Sequence, residues 1–262
     1  MIILGTKIVC LFIIIYQTNK SKLMKNVKWM LSLVFALGVF SMMAQTFSPP
    51  FQGFSRKKTA FITLKNGNEV SVTVKKLKFK KGLIDELKVE PANGGKKVKI
   101  NPEDIDHMYI APSAMAKLGQ ALDAATDLTK LEDGDLNAGH LDDGYLYMES
   151  SNVQVKKKKT QYCMLQLMNP KFSSEIKVYN DPYAGESVSV GVGGMTMAGG
   201  LAKSYYIKKK GEDTARRIKK KEYKQDMQAL FGECKDVVKK YGDSPKWDEF
   251  EQFIYDYSSM CK

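Results

Sequence analysis

The apolar positions of this chain change their period twice. Val70, Val72 and Val74 alternate with Glu69, Ser71, Thr73 and Lys75, the period-two pattern of a strand with one face buried and one face wet. The run "KKTAFITL" precedes it, and "KNGN" joins the two. Asn66-Gly67 between β-rich runs predicts a hairpin, because a tight hairpin turn needs residues that accept positive φ. "GLIDELKVE" and "KKVKI" flank "PANGG" and predict a second hairpin. In "NPEDIDHMYI", Asn101 as a cap and Pro102 at the first helical position predict a short turn leading into Met108-Tyr109-Ile110.

Over 112–130 the period becomes helical. Met115, Leu118, Leu122 and Ala125 recur at spacings of three and four behind a Ser113 cap, which predicts a helix over 113–127. Strand-like runs then return as "GYLYMES", "TQYCMLQLM", "SEIKVYN", "ESVSVGVGG", "MTMAGG" and "KSYYIKKK". From about Lys219 the helical period resumes. Tyr223, Met227, Leu230, Phe231, Cys234, Val237, Val238 and Tyr241 share one face, and Gly232 is placed to split this stretch in two. Ser244 and Pro245 open a last helix with the stripe Trp247, Phe250, Phe253, Ile254 and Tyr257. The expected fold is α+β: a mostly antiparallel sheet built of hairpins, one mid-chain helix, and a C-terminal helical segment packed on the sheet.

Residues 24–44, "MKNVKWMLSLVFALGVFSMMA", have a basic start, an apolar centre from about Trp29 to Phe40, and Ala44 before Gln45. This is the layout of a signal peptide. The apolar centre is shorter than the roughly 20 residues a membrane-spanning helix needs, so no stable span is expected in the mature chain. Residues 1–23 hold a second apolar run, "IVCLFIII", and read as an over-called extension ahead of a start at Met24. The expected organisation is an extension (1–23), a signal peptide (24–44), a Pro- and Gly-containing leader (45–56) and one α+β domain (57–262). A sub-boundary is placed near 130, and the helical tail begins near 219. The expected location is periplasmic or extracellular.

Charge and cysteine content narrow the function classes. The formal net charge is +12, but five of the 41 basic residues and none of the 29 acidic ones lie in 1–44, which leaves +7 on the rest. The excess sits in the runs 75–81, 156–159, 208–210 and 216–221, and Lys dominates over Arg. Base and phosphate recognition favours the Arg fork, and an exported protein does not meet the genome, so no nucleic-acid partner is expected. Cys163, Cys234 and Cys261 remain after residue 44. An oxidising compartment permits one bond and leaves one thiol. Cys234 and Cys261, near the ends of neighbouring helices, are the expected pair, and Cys163 within "YCMLQLM" reads as a small core residue.

The stretch "DGDLNAGHLDDG" (133–144) looks at first like a calcium loop. Asp133, Asp135 and Asn137 fall at positions 1, 3 and 5 of such a loop, with Asp142 further along. Ala138 stands where the loop needs Gly, and Gly144 where it needs a bidentate Glu. These four residues are therefore a weak metal candidate, and a solvated turn between helix and strand is the expectation. Only His107 and His140 could act as imidazole bases. Asp104 and Asp106 lie close to His107. G-x-S-x-G, H-E-x-x-H and C-x-x-C do not occur, and the glycines of 191–200 lie between strand-like runs rather than at a strand-to-helix phosphate loop. No catalytic residue and no cofactor is assigned.

Three segments carry a resemblance to a known group: "AFITLKNGNEVSVTVKK" with "VKINPEDID"; "QLMNPKFSSEIKVYNDP"; and "SYYIKKKGEDTARRIKKKEYKQDMQALFGEC" with "KWDEFEQFIYDYS". The chain resembles a group of exported, periplasmic or secreted proteins of Bacteroidetes-type bacteria that has no established activity. The resemblance implies export and a β-rich body with a helical tail, and brings no site residues. The expected function is that of an exported non-catalytic protein binding a cell-envelope protein or an anionic surface glycan. The alternative is a carboxylate-based hydrolase, whose mark would be two Asp or Glu side chains facing across a cleft.

Overall fold

The Asn66-Gly67 turn starts the fold. Gly67 takes φ 84°, and the Asn66 side chain accepts the Asn68 N–H at 3.0 Å. The computed structural model describes residues 47–114, 116, 138–184, 190–192, 195–198, 202–242 and 245–261, all within the unit Ala44–Lys262. Around the turn, β1 (Thr59–Leu64) pairs antiparallel with β2 (Glu69–Lys80). β2 then pairs with β3 (Leu83–Pro91), and β3 with the short β4 (Val98–Ile100), which is the second expected hairpin. A 3-10 turn at Pro102–Asp104 follows, with Pro102 at its start, and leads into β5 (Ile105–Ile110). β5 returns to pair with β1.

The sheet closes on itself. β6 (Leu146–Lys156) lies beside β5, β7 (Lys159–Gln166) beside β6, and Met164 of β7 pairs with Ile84 of β3. The cycle β1-β2-β3-β7-β6-β5 is a six-stranded barrel in which every neighbour is antiparallel. Register shifts in β2 after Val74 and Lys78 supply the bends that closure requires. Ile62, Val74, Leu87, Ile105, Met108 and Met148 fill the interior at 0–1% exposure. The barrel is therefore packed with side chains. Lysines such as Lys76, Lys78 and Lys88 are exposed on the outer face. No helix among the described residues is long and apolar enough to cross a membrane.

A second layer grows from β6. Beyond the end of β5, β6 pairs in parallel with β12 (Thr214–Lys219) through Asn152 and Val153. β11 (Ser204–Lys209) and β8 (Ile176–Asn180) extend the sheet outward. Tyr179, Tyr206 and Ala215 face the outside of the barrel and pack with Cys163 and Leu165. The opposite face carries the C-terminal helices α2 (Tyr223–Phe231), α3 (Lys235–Tyr241) and α4 (Phe250–Met260), here numbered after the one-turn helix α1 (Ala138–Asp142). Their core includes Tyr223, Phe231, Trp247, Phe250 and Phe253 against Ile176, Val178 and Ile207. A two-stranded ribbon, β9 (Val190–Val192) with β10 (Met195–Ala198), completes the described strands.

Cys234 and Cys261 are bonded, with 5.7 Å between their Cα atoms, and Cys163 is a buried free thiol. Gly232 ends α2 as expected: a Cβ there would come 2.5 Å from the Gln228 carbonyl oxygen. The last α-helix starts at Phe250, because Trp247–Glu249 winds as a 3-10 turn. The run 216–221, expected only as basic charge, has its first part, Arg216 to Lys219, in the strand β12. Of the mid-chain helix, Ala114 and Ala116 are helical and the Ser113 hydroxyl caps the Ala116 N–H at 3.2 Å. The rest of 113–127 lies outside the described residues.

Residues 47–55, expected as a leader, pack against the domain: Phe47 is buried, and Phe51 and Phe54 lie partly buried against the barrel core. Phe47 is buried among Phe172, Tyr205 and Phe250. The Gln166 side chain accepts the Phe51 N–H and donates to the Pro49 carbonyl, each at 2.7 Å. Glu251 of α4 accepts the Phe47 N–H at 3.1 Å, yet burial pushes its carboxyl above the ordinary range. A raised folded pKa means that the ionised form costs stability at neutral pH and that the cost disappears as pH falls below the unfolded value of about 4.3. Glu251→Gln keeps an acceptor for Phe47 and should raise the thermal midpoint at pH 7, with the gain shrinking towards pH 4. Thermal melts of both proteins across that range check this. A gain that is the same at both pH values would contradict it.

Candidate functional site

The alternation of β6 sends Tyr147, Glu149, Ser151 and Val153 outward, beneath β8 and β11. Glu149 is 6% exposed and becomes the centre of a polar cluster between the two layers. Lys177 Nζ lies 2.8 Å from its carboxylate, the Tyr179 hydroxyl donates to it, and Lys208 Nζ stands 4.0 Å away. Lys208 also donates to the Ser151 hydroxyl at 2.9 Å. Burial lowers the Lys208 pKa, with Lys177 adding to the effect and Glu149 opposing it. Burial also pushes the Tyr179 hydroxyl well above its ordinary value, and the Glu149 charge adds to it. The cluster thus holds a proton on Tyr179 and a carboxylate bonded on several sides. Its chemistry is that of an inter-layer fastening with a half-buried amine at its edge.

The two histidines differ in setting. His107 pairs with Glu149 in the β5–β6 register, and its Nδ1 lies 2.8 Å from Asp106. Its ring stacks on Tyr147 at 5.3 Å between centroids. Asp104 uses its backbone carbonyl to accept the Lys65 N–H. His140, on α1, stacks on Phe61 at 4.1 Å and leans on Tyr109 and Tyr145. It is an aromatic packing residue here. Cys163 is fully buried, and burial, with Asp85 and Glu103 adding, pushes its thiol up to about 12. Such a thiol stays protonated and out of reach of solvent.

Asp133, Asp135 and Asn137 lie outside the described residues. Asp142 closes α1 and is exposed, and the chain turns at 143–144 into β6. The second half of the acidic stretch is thus one helical turn before the tight turn, where a simple turn was expected. Among the described residues no group of three or more His, Cys, Asp and Glu side chains could hold a metal ion. The other buried carboxylates are occupied structurally. Asp181 accepts from Arg217 Nε at 2.5 Å and from the Ser204 hydroxyl at 2.6 Å. Asp256 accepts from Tyr241 and from Lys240.

Two surfaces remain. The basic runs 75–81 and 156–159 approach each other, since the Gln161 side chain donates to the Lys80 carbonyl at 3.4 Å. Lys78, Lys80, Lys81 and Lys156 to Lys159 are all exposed there. The other surface is the barrel mouth between the β1–β2 turn and the β3–β4 hairpin. An open cavity of about 500 Å³ lies there, lined by Leu64, Val70, Val89, Pro91, Val98 and Ile100 among others. Val98 is 47% exposed. Barrel mouths with apolar linings are common ligand sites.

Neither the Glu149 cluster nor the barrel mouth was assigned from sequence. Glu149 and Lys177 are 28 residues apart and meet only where the second layer packs over β6. One signal was present: in "YLYMESS" an acid shares its face with Tyr147 and Ser151, an unusual place for a solvated charge. No protein-family model, curated protein or solved structure matches the chain.

Proposed function

We propose that this is an exported, non-catalytic protein that binds an anionic glycan at the cell surface. The observation that carries the reading is the joined basic edge, where Lys80 and Lys81 of one hairpin end lie close to the lysine run 156–159 of another. Few acids stand among these lysines, so the edge has charge left for a polyanion, and counterion release would make such binding salt-dependent. The Cys234–Cys261 bond supports export, because such bonds persist in oxidising compartments. The apolar start at 24–44 and the resemblance to exported Bacteroidetes-type proteins point the same way.

Retention on a heparin matrix tests the glycan. The protein should elute at raised salt, and a Lys157→Gln/Lys158→Gln/Lys159→Gln variant should elute at clearly lower salt. Passage of the unaltered protein straight through at low salt would remove the glycan reading. Export has its own check. N-terminal sequencing of protein recovered outside the cytoplasm should begin at Gln45; recovery only from the cytoplasm with residues 24–44 intact would refute it.

A further inference from the structure

We infer that the barrel mouth and the outer edge of β4 form a docking site for an extended acidic polypeptide strand, which adds to β4 and places an apolar side chain in the mouth. This goes beyond the glycan reading, since it concerns a different surface and a different partner.

β4 is the terminal strand of its sheet. Val98–Ile100 pairs with β3 through Val89, Lys88 and Leu87, and among the described residues no strand lies on its other side. An edge of this kind offers backbone N–H and C=O groups to an incoming strand. The edge stands beside the cavity of about 500 Å³, and Val98 and Ile100 belong to both. Side chains of an added strand alternate in direction, so every second one would share the face of Val98 and Ile100 and lie towards the cavity. Backbone pairing and an apolar anchor are therefore available together, the usual division of labour in strand addition.

Charge selects the occupant. Lys96, Lys97 and Lys99 are exposed along this hairpin, and of these Lys99 meets Glu86 at 3.2 Å. A second copy of the chain would bring the same lysines to the same edge, and like charges directly across a strand pair are destabilising. The lysines thus oppose self-pairing and favour a strand carrying Asp or Glu at alternate positions. A partner with acidic residues between apolar ones satisfies the edge, the cavity and the lysines at once.

The test uses the whole protein and a fluorescein-labelled eight-residue peptide alternating Val and Glu, with a Val and Lys peptide as control. The Val and Glu peptide should bind, the Val and Lys peptide should not, and Lys97→Glu/Lys99→Glu should weaken binding at least tenfold by fluorescence anisotropy. In the unaltered protein, amide hydrogen exchange at residues 98–100 should slow when the peptide is added. That second measurement holds even if the variant folds poorly. Equal binding of both peptides, or unchanged exchange at 98–100 under saturating peptide, would overturn the inference. So would protection of 98–100 by heparin and not by the peptide, because the edge would then serve the glycan.

Discussion

Reduction of the Cys234–Cys261 bond is expected to cost the folded chain about 3–4 kcal/mol. The bond joins positions 27 residues apart, and closing a loop of that size removes about this much free energy of conformational entropy from the unfolded ensemble. The Cα separation of 5.7 Å lies at the common value for unstrained bridges, so little of the gain is offset in the native state. The cysteines tie the start of α3 to the end of α4, across a core in which Phe231 stacks edge-on to Phe253 and Tyr257. For a body of this size the loss corresponds to a fall in melting temperature of about 10 °C. Melts with and without reductant measure it, and the Cys234→Ala/Cys261→Ala variant should reproduce the reduced value. A midpoint unchanged after both thiols are shown to be free would refute the expectation.

Glu149→Ala should be comparably damaging, at about 3 kcal/mol, for a different reason. Its carboxylate accepts from Tyr179 and pairs with Lys177 while 6% exposed. Lys177 is 36% exposed and can return to water, so the loss falls on the fully buried Tyr179 hydroxyl, left without its acceptor, and on the shielded lysine beside it. Lys208, already shielded and only 18% exposed at its side chain, loses its nearest countercharge. Glu149→Gln keeps an acceptor for the Tyr179 hydroxyl and should cost about 1–2 kcal/mol. Denaturant unfolding of the three proteins orders them, and an Ala variant as stable as the parent would show that the cluster contributes nothing to joining the layers. The comparison also bears on function. If the Ala variant, assayed where it is still folded, kept its heparin retention, the cluster would be a fastening only.

The features legible in the sequence were those settled by neighbours. The Asn66-Gly67 turn, the Pro102 turn, the Ser113 cap and the Gly232 break each depend on a few adjacent residues. The Cys234–Cys261 pairing was legible because both cysteines fall near the ends of consecutive helices. Closure of the barrel was not, since it rests on Ile84 meeting Met164, and neither "LIDEL" nor "CMLQL" signals its partner. β12 escaped because its buried residues, Ala215 and Ile218, are three apart; paired to β6 at one end and β11 along its length, it shows no period of two. The barrel mouth was invisible for a related reason: Leu64, Val70, Val89 and Ile100 each look like ordinary strand residues, and only the closed sheet brings them around one opening.

Closure through β7 also orders events for a chain that emerges from its N-terminus. β1 to β5 can form their hairpins early, but the cycle cannot shut until residue 164 is out and has found residue 84. Until then the sheet's inner face, including Ile62, Val74 and Leu87, is open to water, and the stretch of the β3 edge around Ile84 that β7 will cover is free. Lys75, Lys76, Lys78 and Lys88 already stand on these strands at that stage. The same lysines that decorate the finished barrel would keep two unfinished copies apart while each waits for its closing strand.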